Sequence, residues 1–214
     1  MSRYNLVIFD CDGVLVDSEL ITNRVLSAML EELGLPLTLD DMFERFVGHS
    51  TAHVMSLIRD LLGRELPSGF VDEYFNRTGR ALAEELQPVA GVHETLRALS
   101  IRSCVASNGE REKMRATLRS TGLLTHFEGR MYSAQDVARG KPAPDVFLLA
   151  ASDMGVPPER CVVVEDTPIG VTAGCAAGMT VFGYAGRTPA PRLQAAGATV
   201  VFRDMAELPA LLSE

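Results

Sequence analysis

The chain alternates short apolar runs with helical patterns, and this alternation constrains its fold more than any other feature. Six runs are rich in β-branched residues and apolar at consecutive positions, as strands buried on both faces of a parallel sheet are. These runs are residues 5–9, 102–106, 129–132, 161–164, 179–182 and 198–202. Helical patterns separate them after residue 88. We therefore predict an α/β fold, with a Rossmann-like parallel sheet in three layers, α/β/α.

One interval breaks the alternation. Between residues 16 and 88 the apolar residues recur only with helical spacing, in four segments. The segments are residues 18–33, 39–46, 51–62 and 70–86. We therefore predict an all-α cap domain over residues 16–88, inserted into a core domain that comprises residues 1–15 and 89–214.

The charge of the chain excludes some partners. Twenty Lys and Arg against 28 Asp and Glu give a net charge of −8. An acidic protein has no general attraction for nucleic acid or anionic membranes, so we expect neither as a partner. Residues 16–88 hold six Arg and thirteen acids, a net charge of −7, so the acidity lies mostly in the predicted cap. The core can therefore still accept an anionic substrate.

The chain also lacks the marks of a secreted or membrane protein. Its first ten residues have an acid at position 10 and too short an apolar run for a signal peptide. The uncharged stretch 167–186 contains Pro168 and five glycines, so we interpret it as a helix, a turn and a strand rather than a membrane span. Four Cys without metal-type spacing indicate free thiols. We expect a cytoplasmic protein.

Two acidic pairs follow two of the predicted strands. Asp10 and Asp12 end the first run, and Glu165 and Asp166 end the run 161–164. Open α/β sheets bind ligands at the carboxyl ends of their strands, and clustered carboxylates there suit a hard divalent cation such as Mg²⁺. Taken singly, each pair also fits acidic residues that cap the next helix or form a turn.

Two further segments offer groups for an anion. Ser107 and Asn108 end the strand 102–106 and precede a helix, where backbone N–H groups and a hydroxyl favour anion binding, although a plain helix cap fits as well. Lys141 is one of only two lysines beside 18 arginines, and it lies between Gly140 and Pro142. A compact ammonium suits a phosphate or crowded carboxylates, with an ordinary surface lysine as the alternative.

Together the four segments resemble a known family. The segments 10–18 (DCDGVLVDS), 107–108 (SN), 140–142 (GKP) and 165–170 (EDTPIG) are similar, in order and spacing, to the four motifs of the haloacid dehalogenase superfamily. The inserted helices resemble the cap of the subclass that includes phosphoglycolate phosphatase and β-phosphoglucomutase. The resemblance extends over nearly the whole chain.

The resemblance implies a role for each residue. Asp10 would be the nucleophile that forms an aspartyl-phosphate, and Asp12 the general acid and base. Mg²⁺ would lie between the Asp10 carboxylate, the Asp12 carbonyl and Asp166, with Glu165 beside it. Ser107, Asn108 and Lys141 would hold the phosphate. The expected function is Mg²⁺-dependent hydrolysis of a small phosphorylated sugar or sugar acid by a protein that we expect to be monomeric.

Departures from the family pattern narrow the choice. Dehalogenases lack the second aspartate of the first motif, which is Asp12 in this chain, so we do not expect dehalogenation. Phosphonoacetaldehyde hydrolases need a cap lysine that forms a Schiff base, and residues 16–88 contain no lysine, which excludes that activity. A β-phosphoglucomutase has a cap histidine where this chain has Thr22, which weakens the mutase alternative. A non-catalytic phosphate-binding regulatory protein on the same scaffold is the other alternative.

The cap loop 43–50 is the candidate for substrate contacts. It is similar to a loop of bacterial sugar-phosphate phosphatases, including 6-phosphogluconate phosphatase. We predict that Arg45 and His49 in this loop bind the substrate. The alternative for Arg45 is a solvated pair with Glu44 at a helix end.

Overall fold

The computed structural model of the chain describes residues 3–46 and 51–213. The chain divides into two compact units, an α/β unit of Met1–Asp17 with Gln87–Glu214 and a helical unit of Ser18–Leu86. The boundaries predicted from sequence fall within two residues of this division. Each unit has its own buried apolar cluster.

The elements of the α/β unit alternate along the chain. Its strands are β1 (Leu6–Phe9), β2 (Arg102–Ser107), β3 (Met131–Ser133), β4 (Cys161–Glu165), β5 (Thr180–Tyr184) and β6 (Val200–Phe202). The helices of the helical unit are α1 (Ser18–Glu32), α2 (Leu39–Phe46), α3 (Thr51–Leu62) and α4 (Phe70–Glu85). The helices of the α/β unit are α5 (Val92–Ala98), α6 (Arg111–Ser120), α7 (Leu124–Phe127), α8 (Asp145–Asp153), α9 (Pro168–Ala176), α10 (Ala190–Ala195) and α11 (Leu208–Leu211).

The six strands form one parallel sheet in the order β3-β2-β1-β4-β5-β6. The first strand in sequence is therefore a central strand, with β2 on one side and β4 on the other. Such a point, where the strand order changes direction, leaves a crevice beyond the carboxyl ends of the strands. The sheet order thus determines where a ligand site can form.

Both faces of the sheet are covered. All four residues of β1 are fully buried, although their side chains alternate between the two faces. On one face Ile8 belongs to a cluster with Phe147 of α8 and Val171 of α9. On the other face the ring of Phe9 packs edge-on against Phe127 of α7, with centroids 6.1 Å apart. The predicted fold class is confirmed.

The helical unit forms a small core of its own. Leu26, Met29 and Leu30 of α1 pack with Met42 of α2 and Ile58 of α3. Salt bridges cross its surface, such as Arg24 with Glu85 at 2.5 Å. Both of these side chains are about half exposed, so this pair contributes little to stability.

The observed elements correct the prediction in places. Strand β3 begins at Met131, not at Gly129, because Gly129 has a φ of +77° and the Arg130 N–H donates to the Phe127 carbonyl, which closes a turn. Helices α7 and α11 are missing from the prediction because four residues are too few to show a helical period. No helix among the described residues is both long and apolar enough to span a membrane.

Candidate active site

The carboxyl ends of β1, β2 and β4 bring the predicted site residues together. In the sheet register Phe9 pairs with both Val105 and Val164. Asp10 and Glu165 therefore follow neighbouring positions at one edge, and the Asp10 N–H donates to the Val164 carbonyl at 2.9 Å. Ser107, the last residue of β2, is buried at the same edge. The motifs converge because their strands are adjacent.

Lys141 lies at the centre of this cluster. Its ammonium Nζ donates to Asp10 Oδ1 at 2.5 Å, to Glu165 Oε1 at 2.7 Å and to the Ala106 carbonyl at 2.9 Å. Its side chain is only 3% exposed. A buried ammonium needs such partners, since desolvation of an unpaired charge is strongly unfavourable. The alternative of an ordinary surface lysine is therefore wrong.

Burial and charge act in opposite directions on these groups. Burial raises the pKa of the Asp10 carboxyl to about 7; Lys141 opposes this rise, while Glu165 and Asp12 add to it. Burial by itself would lower the pKa of Lys141, but the carboxylates of Asp10 and Glu165 outweigh it, and the pKa is raised above its ordinary value. Lys141 therefore stays a cation at neutral pH.

Glu165 is held by protein donors at both oxygens. Oε1 accepts from Lys141, and Oε2 accepts from the Thr167 N–H at 3.1 Å and the Thr167 hydroxyl at 3.0 Å. The same hydroxyl caps helix α9 by accepting from the Gly170 N–H at 3.1 Å. Glu165 is only 1% exposed, so its orientation is fixed by these contacts.

The close approach of α9 to Glu165 requires glycine at position 170. A Cβ built on Gly170 would lie 1.8 Å from Glu165 Oε1. We expect Gly170→Ala to push Glu165 away from Lys141 and to lower the free energy of unfolding by about 1–3 kcal/mol, as overpacking of a core does. Urea unfolding followed by circular dichroism measures this change.

Gly79 provides the matched control for Gly170→Ala. It lies inside α4, and a Cβ at this position meets nothing within 4 Å. Gly79→Ala should therefore raise the free energy of unfolding by about 0.5–1 kcal/mol, the usual gain in a helix interior. If Gly170→Ala were stabilising like Gly79→Ala, the described packing around Glu165 would be wrong.

Three acids at this edge could hold a cation. One carboxylate oxygen each of Asp10, Glu165 and Asp166 lies within 4.8 Å of the other two, and all three residues are buried. A Cβ at Gly13, whose φ is +82°, would lie 2.0 Å from Asp166 Oδ2, so only glycine lets this carboxylate approach the loop after β1. Clustered hard oxygens fit a divalent ion such as Mg²⁺.

Asp12 and Asn108 make different contacts. The carboxylate of Asp12 lies outside the acid cluster and pairs with Lys113 of α6, with Nζ 3.4 Å from Oδ2 and 3.5 Å from Oδ1. The Asn108 side chain accepts from the Lys141 N–H at 2.8 Å and donates to the Lys141 carbonyl at 3.2 Å. Asn108 thus holds the backbone that carries Lys141. Ser107 Oγ accepts from the Gly109 N–H at 3.0 Å.

The structure describes one of the two predicted cap residues. Arg45 is exposed near the end of α2 and lines a surface cavity of about 310 Å³ with Phe46, Leu57, Asp60 and Leu61. His49 lies outside the described residues. Their predicted contact with substrate stays a prediction.

Sequence reasoning missed two residues of the site. Thr167 supports Glu165, and its position directly before Pro168 is the available signal, because proline favours the first helical position and threonine the cap. Lys113 pairs with Asp12, and its only signal is that it is the chain's other lysine.

Comparison with known proteins decides the family. The sequence pattern of the haloacid dehalogenase-like hydrolases matches residues 4–178. This chain belongs to that family. The predicted resemblance and the prediction of an enzyme are thereby confirmed, and the matched region contains all four motifs.

Several relatives resemble the chain over most of its length. The 6-phosphogluconate phosphatase of Escherichia coli (strain K12) is 34% identical over 85% of this chain and 83% of its own length. The fructose-1-phosphate phosphatase of the same strain is 30% identical over 83% of this chain and 94% of its own.

Two solved structures are similar to the chain in sequence and fold. A haloacid dehalogenase-like protein from Agrobacterium tumefaciens, described as of unknown function, has a TM-score of 0.92 and 37% identity over 98% of this chain and 97% of its own. A family hydrolase from Deinococcus radiodurans, solved with bound phosphate and sodium, has a TM-score of 0.86 and 36% identity over 99% and 96%.

Proposed function

We propose that this protein is a Mg²⁺-dependent phosphomonoester hydrolase that acts on a small phosphorylated sugar or sugar acid through an aspartyl-phosphate at Asp10. The observation that carries the proposal is the contact of Lys141 with both Asp10 and Glu165, beside the buried carboxylate of Asp166. Three of the four motifs thereby meet in one charged cluster at the crevice of the sheet, and Asn108 of the remaining motif hydrogen-bonds the Lys141 backbone.

Asp10 is the nucleophile in this proposal. Its carboxylate oxygen attacks phosphorus and forms a P–O bond, while the bond from phosphorus to the ester oxygen breaks and its electron pair stays on that oxygen. Asp12 donates a proton to the leaving oxygen. A water then attacks phosphorus and gives a proton to Asp12, while the bond from phosphorus to the Asp10 oxygen breaks and its electron pair stays on that oxygen. Phosphate is released and the Asp10 carboxylate is restored.

The neighbouring residues position and balance the charge. Lys141 orients Asp10 and offsets the negative charge that crowds the site. Glu165, both of whose oxygens accept from the protein, orients Lys141. Asn108 holds the loop that carries Lys141. The Ser107 hydroxyl and the N–H groups at the start of α6 donate hydrogen bonds to the phosphate oxygens.

The Mg²⁺ would be held by the Asp10 and Asp166 carboxylates and the Asp12 carbonyl, with Glu165 close by. When bound, it neutralises negative charge on the phosphoryl oxygens and favours the ionised form of Asp10. The donor set is hard and anionic, as this ion requires.

The relatives suggest the substrate class. Two of them are named as phosphatases of 6-phosphogluconate and fructose 1-phosphate. We therefore propose a phosphorylated sugar or sugar acid, with Arg45 and His49 as the predicted substrate contacts. The monomeric state, the cytoplasmic location and the exclusion of nucleic acid and membranes also stay predictions.

A panel of sugar phosphates tests the proposal. Phosphate release is measured for 6-phosphogluconate, fructose 1-phosphate and several hexose 6-phosphates, with added Mg²⁺ and after chelation with EDTA. We expect release from at least one of them with Mg²⁺, and loss of release with EDTA that added Mg²⁺ reverses.

Other outcomes point to the alternatives. Formation of an isomeric sugar phosphate without net phosphate would favour a mutase. Binding of Mg²⁺ without turnover of any substrate, including p-nitrophenyl phosphate, would favour a regulatory protein. Release that EDTA leaves unchanged would overturn the role of the metal.

A further inference from the structure

A second ion pair at the site has no part in the mechanism above. Lys113 Nζ lies 3.4 Å and 3.5 Å from the two oxygens of Asp12, so the ammonium faces the carboxylate nearly symmetrically. The chain contains 18 Arg and only two Lys, and each lysine contacts an aspartate of the first motif: Lys141 contacts Asp10, and Lys113 contacts Asp12.

The local structure does not favour a cation at position 113. Lys113 is the third residue of α6, and the partial positive charge of a helix N-terminus disfavours cations in the first turn. The pair is also partly exposed, with the lysine side chain 43% and the aspartate side chain 29% accessible, so it contributes little to stability. A residue that departs from local preference in this way often serves function.

Packing fixes the helix that carries Lys113. Met114 and Leu118 of α6 are buried in the core. Thr117, one turn after Lys113 on the same helical face, is buried as well. Lys113 therefore reaches Asp12 from a helix that the core holds in place.

We propose that Lys113 is a positioning residue that holds the Asp12 carboxyl group for proton transfer to the leaving oxygen. The inference rests on the proposed function. An ammonium can only donate, so it contacts both oxygens of the ionised carboxylate and only the unprotonated oxygen when Asp12 carries the proton, which leaves the O–H to face the leaving oxygen. Either contact restricts rotation of the carboxyl group about the Cβ–Cγ bond. Lys113 thereby determines how efficiently the protein expels a poor leaving group, such as the alkoxide of a sugar, which must take a proton as the P–O bond breaks.

Substrates with different leaving groups separate this role from a structural one. A sugar alkoxide needs the proton of Asp12, whereas p-nitrophenolate leaves without protonation. The value of kcat/KM reports on steps up to departure of the leaving group, so the later use of Asp12 on water does not affect it. The test compares the sugar phosphate that the panel shows to react fastest with p-nitrophenyl phosphate.

The variants are Lys113→Met, Lys113→Arg and Arg115→Met. Arg115 lies on the same helix and pairs with Glu128 at 2.7 Å, so Arg115→Met removes one charge without touching Asp12. We expect Lys113→Met to lower kcat/KM for the sugar phosphate by at least about tenfold and for p-nitrophenyl phosphate by less than about threefold, since general acid catalysis contributes about 10²–10⁴.

The controls should leave the ratio of the two kcat/KM values near that of the unmodified protein. Lys113→Arg should restore most of the loss because its guanidinium can contact both carboxylate oxygens. Arg115→Met should change neither substrate, and the unfolding midpoint should be the same in all variants. Equal losses on both substrates, or no loss on either, would overturn the inference while leaving the proposed function intact. Absence of phosphate release from both substrates by the unmodified protein would overturn both.

Discussion

Replacing Asp10 by Asn is expected to lower kcat for phosphate release by at least about 10³-fold, because removal of a nucleophile abolishes the covalent route. Asn has the same shape as Asp but carries no negative charge, so it cannot attack phosphorus. Asp10 is buried against Lys141 at 2.5 Å, and the substitution leaves an amide oxygen there to accept the same hydrogen bond. The fold should therefore persist.

Steady-state phosphate release with Mg²⁺ and the fastest sugar phosphate measures this effect. The control is Asp145→Asn, which removes a carboxylate that pairs with Arg139 outside the site, at 3.0 Å. We expect Asp145→Asn to keep activity within about twofold, since surface pairs contribute little. Activity of Asp10→Asn within tenfold of the unmodified protein would contradict the nucleophile assignment.

Replacing Lys141 by Met is expected to lower both stability and activity. The variant leaves Asp10 and Glu165 buried with no cation between them, and removal of one partner of a buried pair costs about 3–5 kcal/mol of unfolding free energy. Lys141 contacts three acceptors at once, so no neighbouring group can substitute for it. Phosphate release should fall below detection.

The control for Lys141→Met is Arg139→Met. Arg139 precedes Lys141 by two residues, and its side chain is 71% exposed. Its loss should change the unfolding free energy by less than about 0.5 kcal/mol, as surface substitutions usually do. Urea unfolding without added metal compares the two. If Lys141→Met were as stable as Arg139→Met, the buried network would not hold the site together.

The sequence predicts the sheet and the convergence of the site well, for a physical reason. Strand β1 and the first four residues of β4 are apolar at every position. The acids that come next in the sequence lie at one edge of the sheet because the carboxyl ends of parallel strands meet there. Positions that depend on strand periodicity can therefore be read from the chain, whereas the adjacency of β1 and β4 is known only from the sheet order. The acid cluster of Asp10, Glu165 and Asp166 follows from this arrangement alone.

Contacts that depend on helix rotation or on side-chain direction cannot be predicted in this way. The pairing of Lys113 with Asp12 requires the register of α6 against the loop after β1, which no periodicity defines. The resemblance predicts Glu165 beside a metal without indicating that Lys141 and Thr167 donate to both of its oxygens. Arg45 illustrates the same limit, because the pattern of α2 does not define what its side chain meets.

Capture of the phosphorylated intermediate tests the central claim most directly. The unmodified protein is mixed with Mg²⁺ and excess substrate, quenched in acid during turnover and digested, and the peptide that contains Asp10 is sequenced by mass spectrometry. We predict a phosphoryl group on Asp10 that is absent from Asp10→Asn. Full-rate phosphate release with no phosphoryl group on Asp10, or a phosphoryl group on Ser107 instead, would contradict the account.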